Sequence, residues 1–559
     1  MRRLLLLLVA AAVLSPCCVA SLYAAPPDVK YFDPPGAQSG KATDVRAAGT
    51  FATWPVQTWA SDAGIRFEPK KDSGKFTVHV ASHVAPGVHW VRFISADGSS
   101  LPKAFVVGAT AEAGEKEPNE TRAKAQKIDA ATPIVVNGKL ADNGDVDLFA
   151  VSLKAGKTLV AAVDAIAAFG SQIDCVLQVT DADGHVLAQN LDDRGFDPRI
   201  NFAVPRDGDY FVRVFGLAAV PNSSIRFAGG EDALYRLTLT TEAFVDYAWP
   251  AVVSADAVEV MLHGVNLPAA GLKTSTALSP SAPPQRQAVP NGHAGRGAVS
   301  VVDVPTQIES AGTATGRPVP LAAPIVVNGR FDEPGDRDEY VVSAKKGQAF
   351  RLRVMSQALG FPSDPLVRIY KPDGSAPLRI DDISRTDADV DGLLQATLDG
   401  DYRIVVEELF GNGGSNFVYV LDLRPTTAEF GLSVAASELN AVLGKPFELA
   451  VNVDRPVGNV SDIEIRIEGL PEKFGATPVV SGGDKVAIKT TGKQVKLKFT
   501  PTEKFDGPVR IVGVMKSEPE VHRAATAPVV AVLGAKITDL WFHAGPEPAP
   551  AKPVEAKKK

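Results

Sequence analysis

Gly144-Asp145-Val146-Asp147-Leu148-Phe149 reads as a turn entering a strand, and the chain repeats it as Gly335-Asp336-Arg337-Asp338-Glu339-Tyr340. Upstream, Pro133-Ile134-Val135-Val136-Asn137-Gly138 returns as Pro324-Ile325-Val326-Val327-Asn328-Gly329. Downstream, Gly156 matches Gly347 and Asp183-Gly184 matches Asp373-Gly374. Asp192-Asp193 matches Asp381-Asp382, and Asp207-Gly208-Asp209-Tyr210 matches Asp399-Gly400-Asp401-Tyr402. The matches keep their order at offsets of 189 to 192 residues. Chance does not give so many ordered matches, so two copies of one domain are predicted. The period is too long for a solenoid unit, which makes the copies beads rather than stacked turns.

Each copy reads as short strands. Leu159-Val160-Ala161-Ala162-Val163 and Tyr210-Phe211-Val212-Arg213-Val214-Phe215 belong to the first. Phe350-Arg351-Leu352-Arg353-Val354 and Tyr402-Arg403-Ile404-Val405-Val406 belong to the second. Asp-Gly turns lie between such runs. The fold class expected is all-β, a multidomain chain of β-sandwich or jelly-roll and immunoglobulin-like domains.

Working outward, 26–108 contains Gly87-Val88-His89-Trp90-Val91-Arg92-Phe93 and reads as an immunoglobulin-like β-domain. The copies occupy 109–243 and 305–428. Between them, 244–304 is expected to be a short β segment plus a Pro/Ser/Ala-rich linker. Residues 429–535 alternate well, as in Ile463-Glu464-Ile465-Arg466-Ile467, and predict a second immunoglobulin-like sandwich. The Pro/Ala/Lys-rich end, 536–559, is expected to be a disordered tail.

Arg2-Arg3, the apolar run Leu4 to Leu14 and the small residues ending at Ala25 form the three parts of a secretory signal, assigned to 1–25. The apolar run is shorter than the roughly 20 residues of a membrane span. Cys17 and Cys18 raise a lipoprotein alternative, but Pro16 ahead of Cys17 is a poor match to a lipidation site. The mature chain is therefore expected to be exported, to the periplasm, the cell surface or the medium, with no transmembrane segment. Cys175 would then be its single cysteine, which rules out an internal disulfide.

Composition agrees. The chain has 559 residues, 58 Lys+Arg against 65 Asp+Glu, and a formal charge of -7. That balance argues against a nucleic-acid partner, which would need a basic stripe. Gly (48) and Pro (42) are somewhat over-represented, as many turns require.

The first copy opens with Glu115-Lys116-Glu117-Pro118-Asn119-Glu120-Thr121, followed by Ala125 and the Gly-Asp-x-Asp loop of Asp145 and Asp147. This resembles the bacterial pre-peptidase C-terminal domain, a family that includes the collagen-binding domains of clostridial collagenases. The resemblance covers about 115–243 and, more loosely, 305–425. The architecture as a whole resembles large secreted proteins of planctomycete-type bacteria, and 29–108 is similar to a transcription-factor-type immunoglobulin module.

The resemblance implies a jelly-roll sandwich appended to exported proteases and other exported proteins. It also implies calcium. Ca²⁺ takes six to eight oxygens, mostly carboxylates and carbonyls. By resemblance, an acidic linker folds back on the Gly-Asp-x-Asp loop, which maps Glu115, Glu117, Asn119, Glu120, Asp145 and Asp147 onto ligand positions. The alternative is a merely solvated linker with aspartates capping a turn. In the second copy Asp336 and Asp338 are kept, but Gln307-Ile308-Glu309-Ser310-Ala311-Gly312 lacks the motif, so weak or no calcium binding is expected there.

No catalytic signature stands out. Gly-x-Ser-x-Gly, His-Glu-x-x-His and a phosphate loop are absent from the sequence. His79 and His89 would form a metal pair on adjacent strands only with a third ligand that is not evident. The Asp192-Asp193 and Asp381-Asp382 pairs read as turns rather than glycosidase acids. Trp54 and Trp59 read as core packing rather than sugar stacking. The expectation is a non-catalytic binding or spacer protein, with an extracellular polysaccharide or protein matrix as partner. The alternative is an accessory or targeting subunit of an exported hydrolase.

Overall fold

The computed structural model describes residues 22–23, 25–193, 195–220, 226–276, 285–289, 292–309, 318–385, 387–456, 459–482, 493–516, 520–529, 536–546 and 550–551. Among these, regular structure is almost entirely β, with one short α-helix, Ile166–Phe169, and a few 3₁₀ turns. The expected signal segment lies outside the described residues except at its very end.

The sheets pair into sandwiches. In the first, strands Asp28–Asp33, Ala42–Thr50, Lys75–Val80 and Ile65–Pro69 face a sheet built on Gly87–Ser95 and Lys103–Gly108. Phe32, Phe67, Phe76, Phe93 and Phe105 fill the space between. Trp54 joins this core, edge-on to Phe51 and Phe76, and its indole N–H donates to Lys70 O at 2.9 Å. His79 and His89 fall in different sheets, so they do not meet on adjacent strands.

The second sandwich holds the first repeat. One sheet runs Ala111–Gly114, Ile134–Lys139, Leu234–Thr240, Thr158–Asp164, Arg199–Ala203. The other runs Gln126–Ile128, Asp147–Leu153, Gly208–Ala218, Ile173–Thr180, Val186–Asn190. Along Asp147–Leu153 the alternation buries Phe149, Val151 and Leu153 while Ser152 faces water. Cys175 is a fully buried strand residue in this core.

The fourth sandwich has the same strand order. Thr306–Ile308, Ile325–Arg330, Val418–Pro425, Ala349–Met355 and Asp387–Gln395 form one sheet. Val319–Pro320, Arg337–Ala344, Gly400–Glu408, Pro365–Tyr370 and Leu378–Ile380 form the other.

Two expected boundaries need correction. Residues 244–304 are not a β segment plus linker. Strands Phe244–Trp249, Glu259–Val265 and Leu272–Ser275 make one sheet with Ala294–Gly295. Val252–Ser254, Gly297–Val302 and Gln285–Val289 make a second, over a core of Val245, Val260, Leu262, Val299 and Val301. So small a core needs few inward residues, and its Ser/Thr/Pro/Ala-rich connections hide them. The stretch 277–284 lies outside the described residues.

The ordered chain also runs beyond the expected start of the tail at 536. Leu540–Gly545 pairs parallel with Glu438–Val442 and antiparallel with Phe505–Met515, and Leu540 and Phe542 sit in the last core. Leu-Trp-Phe-His-Ala-Gly is buried on both faces, so it lacks the alternation that marks a half-exposed strand.

The units touch in sequence and also end to end. Arg296 pairs with Asp164 through two 2.7 Å hydrogen bonds between the second and third sandwiches. The Asn328 amide donates to Val252 O at 2.9 Å between third and fourth. Arg523 bridges Asp303 (2.7 Å) and Glu429 (3.2 Å). Trp59 of the first sandwich rests on Trp541 of the last, with centroids 5.9 Å apart.

Candidate metal centre

Strand Ala111–Gly114 runs parallel to Ile134–Lys139 and carries Glu115 over its end. Glu115 N donates to Asn137 O (3.0 Å), and Lys139 N donates to Glu115 Oε1 (2.9 Å). Gly138 is required beneath, because a Cβ there would lie 2.1 Å from Tyr235 Cζ and 2.6 Å from Glu115 Oε2. The linker then turns back. Glu117 Oε2 accepts from Asn119 N at 2.9 Å, and Leu148 N donates to Asn119 O at 3.3 Å. That last bond ties the linker to the start of the Asp147 strand.

Carboxylate oxygens of Glu115, Glu117 and Asp147 lie within 4.8 Å of one another. The Tyr235 hydroxyl, fully buried, donates to Asp147 Oδ2 at 2.6 Å and also lies 3.2 Å from Glu115 Oε2. One hydroxyl thus stands between a buried carboxyl, Asp147, and a half-buried one, Glu115. Burial pushes Glu115 up to about 7, and burial with the Glu115 charge pushes Asp147 up to about 9. Glu117 is raised by burial and by the Asp145 and Glu120 charges.

Several buried polar atoms here have no protein partner: Asp147 Oδ1 and both Oδ1 and Nδ2 of the wholly buried Asn119. Unpaired buried polar groups are costly. Oxygens at 2.3–2.6 Å from one ion are at most about 5 Å apart, so the cluster fits a calcium-sized cation. Glu115, Glu117 and Asp147 would hold it, with Asn119 adjoining, and the ion would supply positive charge to carboxyls that repel each other.

Of the six residues mapped by resemblance, the structure gathers these three carboxylates and seats Asn119 between Glu117 and Leu148. Asp145 and Glu120 lie at the rim. Asp145 Oδ2 accepts from Ala141 N at 2.7 Å, and Glu120 is 3.6 Å from Lys124. Tyr235 was not foreseen. Its repeat partner Tyr419 is 184 residues on, outside the 189–192 spacing, because intervening loops differ in length.

The same is true of Glu309. It takes the place of Glu115 in the fourth sandwich: Glu309 N donates to Asn328 O (2.9 Å) and Arg330 N to Glu309 Oε2 (3.0 Å). Tyr419 then lies 2.7 Å from Asp338 Oδ2 and 3.4 Å from Glu309 Oε2.

Two further acidic groups occur among the described residues. In Asp181, Asp183 and His185 the Asp181 oxygens are engaged by its own turn. Asp364, Asp381 and Asp382 converge where a simple turn was expected, and Asp364 is pushed up to about 6 by burial and its acidic neighbours.

Comparison with known proteins places one module. Residues 145–216 match the model of the bacterial pre-peptidase C-terminal domain. A probable subtilase-type serine protease of Deinococcus radiodurans is 39% identical over 98 residues, which is 18% of this chain and only 14% of that protein. The pre-peptidase C-terminal domain of a Bacillus anthracis collagenase aligns over 22% of this chain and 100% of its own, at 17% identity and a TM-score of 0.16. A Bacteroides ovatus mixed-linkage glucan utilization protein, solved with a mixed-linkage heptasaccharide, aligns over 72% of this chain and 76% of its own, at 10% identity and a TM-score of 0.15. Among the described residues no helix is long and apolar enough to cross a membrane.

Proposed function

We propose that this is an exported, non-catalytic binding or spacer protein whose first pre-peptidase C-terminal domain is held together by calcium, and whose fourth sandwich is a second copy of that domain. The observation that carries the calcium reading is the meeting of three linker and strand carboxylates beside buried, unpartnered atoms of Asn119 and Asp147. The shared strand order and the matching Glu115/Glu309, Asp147/Asp338 and Tyr235/Tyr419 positions support the second copy. The partner is an extracellular polysaccharide or matrix protein at the cell surface or in the periplasm.

A second reading is favoured by the subtilase-type relative: an accessory or targeting subunit of a secreted protease. A glycan and matrix-protein array, probed with the full chain in calcium and in chelator, separates them. Retention that needs calcium supports the binding reading. Retention on nothing, with co-purification of a hydrolase, supports the accessory reading. Calorimetry showing no calcium uptake overturns the metal site.

A further inference from the structure

The second copy keeps the same pair of carboxyls as the first, Asp338 buried and Glu309 half-buried, but lacks the linker acids. Ser310-Ala311-Gly312-Thr313-Ala314-Thr315-Gly316 contains no carboxylate. What surrounds the two carboxyls therefore differs between the copies, and buried carboxyls are costly without well-placed partners.

The pairing registers locate it. Asp147 lies opposite Val214 and Asp338 opposite Val406, so the two aspartates are equivalent. Two residues further along, Phe149 lies opposite Val212 and Tyr340 opposite Ile404. Gly138 faces Tyr235 and Gly329 faces Tyr419. The constellations thus coincide position by position, except that phenylalanine stands in one where tyrosine stands in the other.

That tyrosine is used. The Tyr340 and Tyr419 hydroxyls are 2.6 Å apart, and both residues are fully buried. With Tyr419 donating to Asp338 Oδ2 at 2.7 Å, the Tyr340 hydroxyl is placed to donate to Tyr419. The result is a chain, Tyr340 O–H to Tyr419 O–H to Asp338, in which each bond polarises the next. In the first copy two carboxyls meet one hydroxyl, and Glu117 adds a third carboxylate close by. In the second, two carboxyls meet two hydroxyls in series.

Resting on the reading of the first copy as a calcium site, we infer that Tyr340 substitutes for the cation. Its hydroxyl completes the buried network of the second copy, and the residue at this position, Phe149 or Tyr340, decides which copy depends on calcium. The chain thereby has one calcium-dependent sandwich and one built to hold at any calcium concentration.

The test uses the full-length protein and three forms: wild type, F149Y and Y340F. Calcium titration by calorimetry is expected to show uptake by wild type, at least tenfold weaker binding by F149Y and unchanged binding by Y340F. Thermal melting in chelator is expected to show Y340F losing several degrees in the transition of the fourth sandwich, with no recovery on adding calcium. F149Y that folds, by far-ultraviolet circular dichroism, and binds as wild type overturns the inference alone. So does Y340F that melts as wild type, which decides the matter if F149Y does not fold. Wild type that takes up no calcium overturns the site reading and the inference with it.

Discussion

Arg92 of the first sandwich is completely buried, and its guanidinium is paired with the Glu438 carboxylate of the last. The two residues are 346 positions apart, yet they close the chain head to tail. Arg92 also donates to Ser100 O at 3.2 Å and to Ser437 O at 3.4 Å, so the contact is a network rather than a lone pair. Trp59 against Trp541 adds an apolar patch beside it. Removing one member of a buried ion pair costs about 3–5 kcal/mol, because the other charge is left without a partner. Glu438→Ala should therefore free the first sandwich from the last. Hydrogen exchange in Gly87–Ser95 and Glu438–Val442 is the measurement, and unchanged protection would show the contact to be idle. Paired replacement of Arg92 by Met and Glu438 by Leu should restore much of the protection.

The pH response of the first repeat follows from its buried acids. Glu115 and Asp147 are raised by burial to about 7 and about 9, whereas carboxyls in the unfolded chain titrate near 4. The folded state thus holds protons that the unfolded state has lost. Stability falls with rising pH wherever the folded form binds more protons. In chelator, the contribution of these groups is fully present below about pH 4 and is lost as the pH rises through 7 to 9. With calcium bound, the cation favours the ionised forms and the fall should flatten or reverse. Melting of the second sandwich against pH, with and without calcium, checks both signs. A chelator curve that rises across this range would contradict the placement of the two acids.

Much of this was legible in sequence. Turn residues at fixed spacing marked the repeat, and alternation marked the strands, because half-buried strands must alternate. Glu115, Glu117 and Asp147 were legible as oxygen donors. The third sandwich was not, since its short strands sit among Ser- and Pro-rich connections. Leu540–Gly545 was not, since burial on both faces erases the alternation. Tyr235, Tyr419 and Glu309 escaped because loop-length differences shift them out of the repeat spacing. Their roles depend on which strands are neighbours, which the residue order alone does not state.

Asp197 and Asp389 were missed for another reason: each acts on backbone. Asp197, 3% exposed, accepts from Ala165 N (2.9 Å), Ala167 N (3.1 Å) and Ala168 N (3.2 Å). Asp389 does the same for Ser356 N, Gln357 N and Ala358 N at 2.8, 2.8 and 3.0 Å. Each carboxylate closes the start of one short helical turn. Alanine at either position leaves N–H groups without their acceptor, at about 1–3 kcal/mol for each buried one, which are those of Ala165 and Ala168 in one turn and Ser356 in the other. Asp197→Ala and Asp389→Ala should destabilise their own sandwiches to similar degrees, each by several kcal/mol, and denaturant melts can compare them. Strongly unequal losses would argue against equivalent turns.

The sharpest test of the metal centre is a change of sign. Asp147→Asn keeps the size of the side chain and removes a charge that is buried beside Glu115 and Glu117. In chelator above about pH 9, where Asp147 carries its charge, the repulsion is relieved, so this variant should melt higher than wild type. With calcium the ligand charge is gone, so uptake should drop by at least tenfold and the stabilisation by calcium should vanish. Asp145→Asn, at the rim, removes a charge that acts on the cluster from a distance and should weaken uptake only severalfold. A purely structural aspartate would behave differently: its asparagine variant would melt lower in chelator and in calcium alike. Calorimetry and melting of wild type and both variants therefore separate a cation site from an acidic turn, because only the cation site reverses the order of stabilities when calcium is removed.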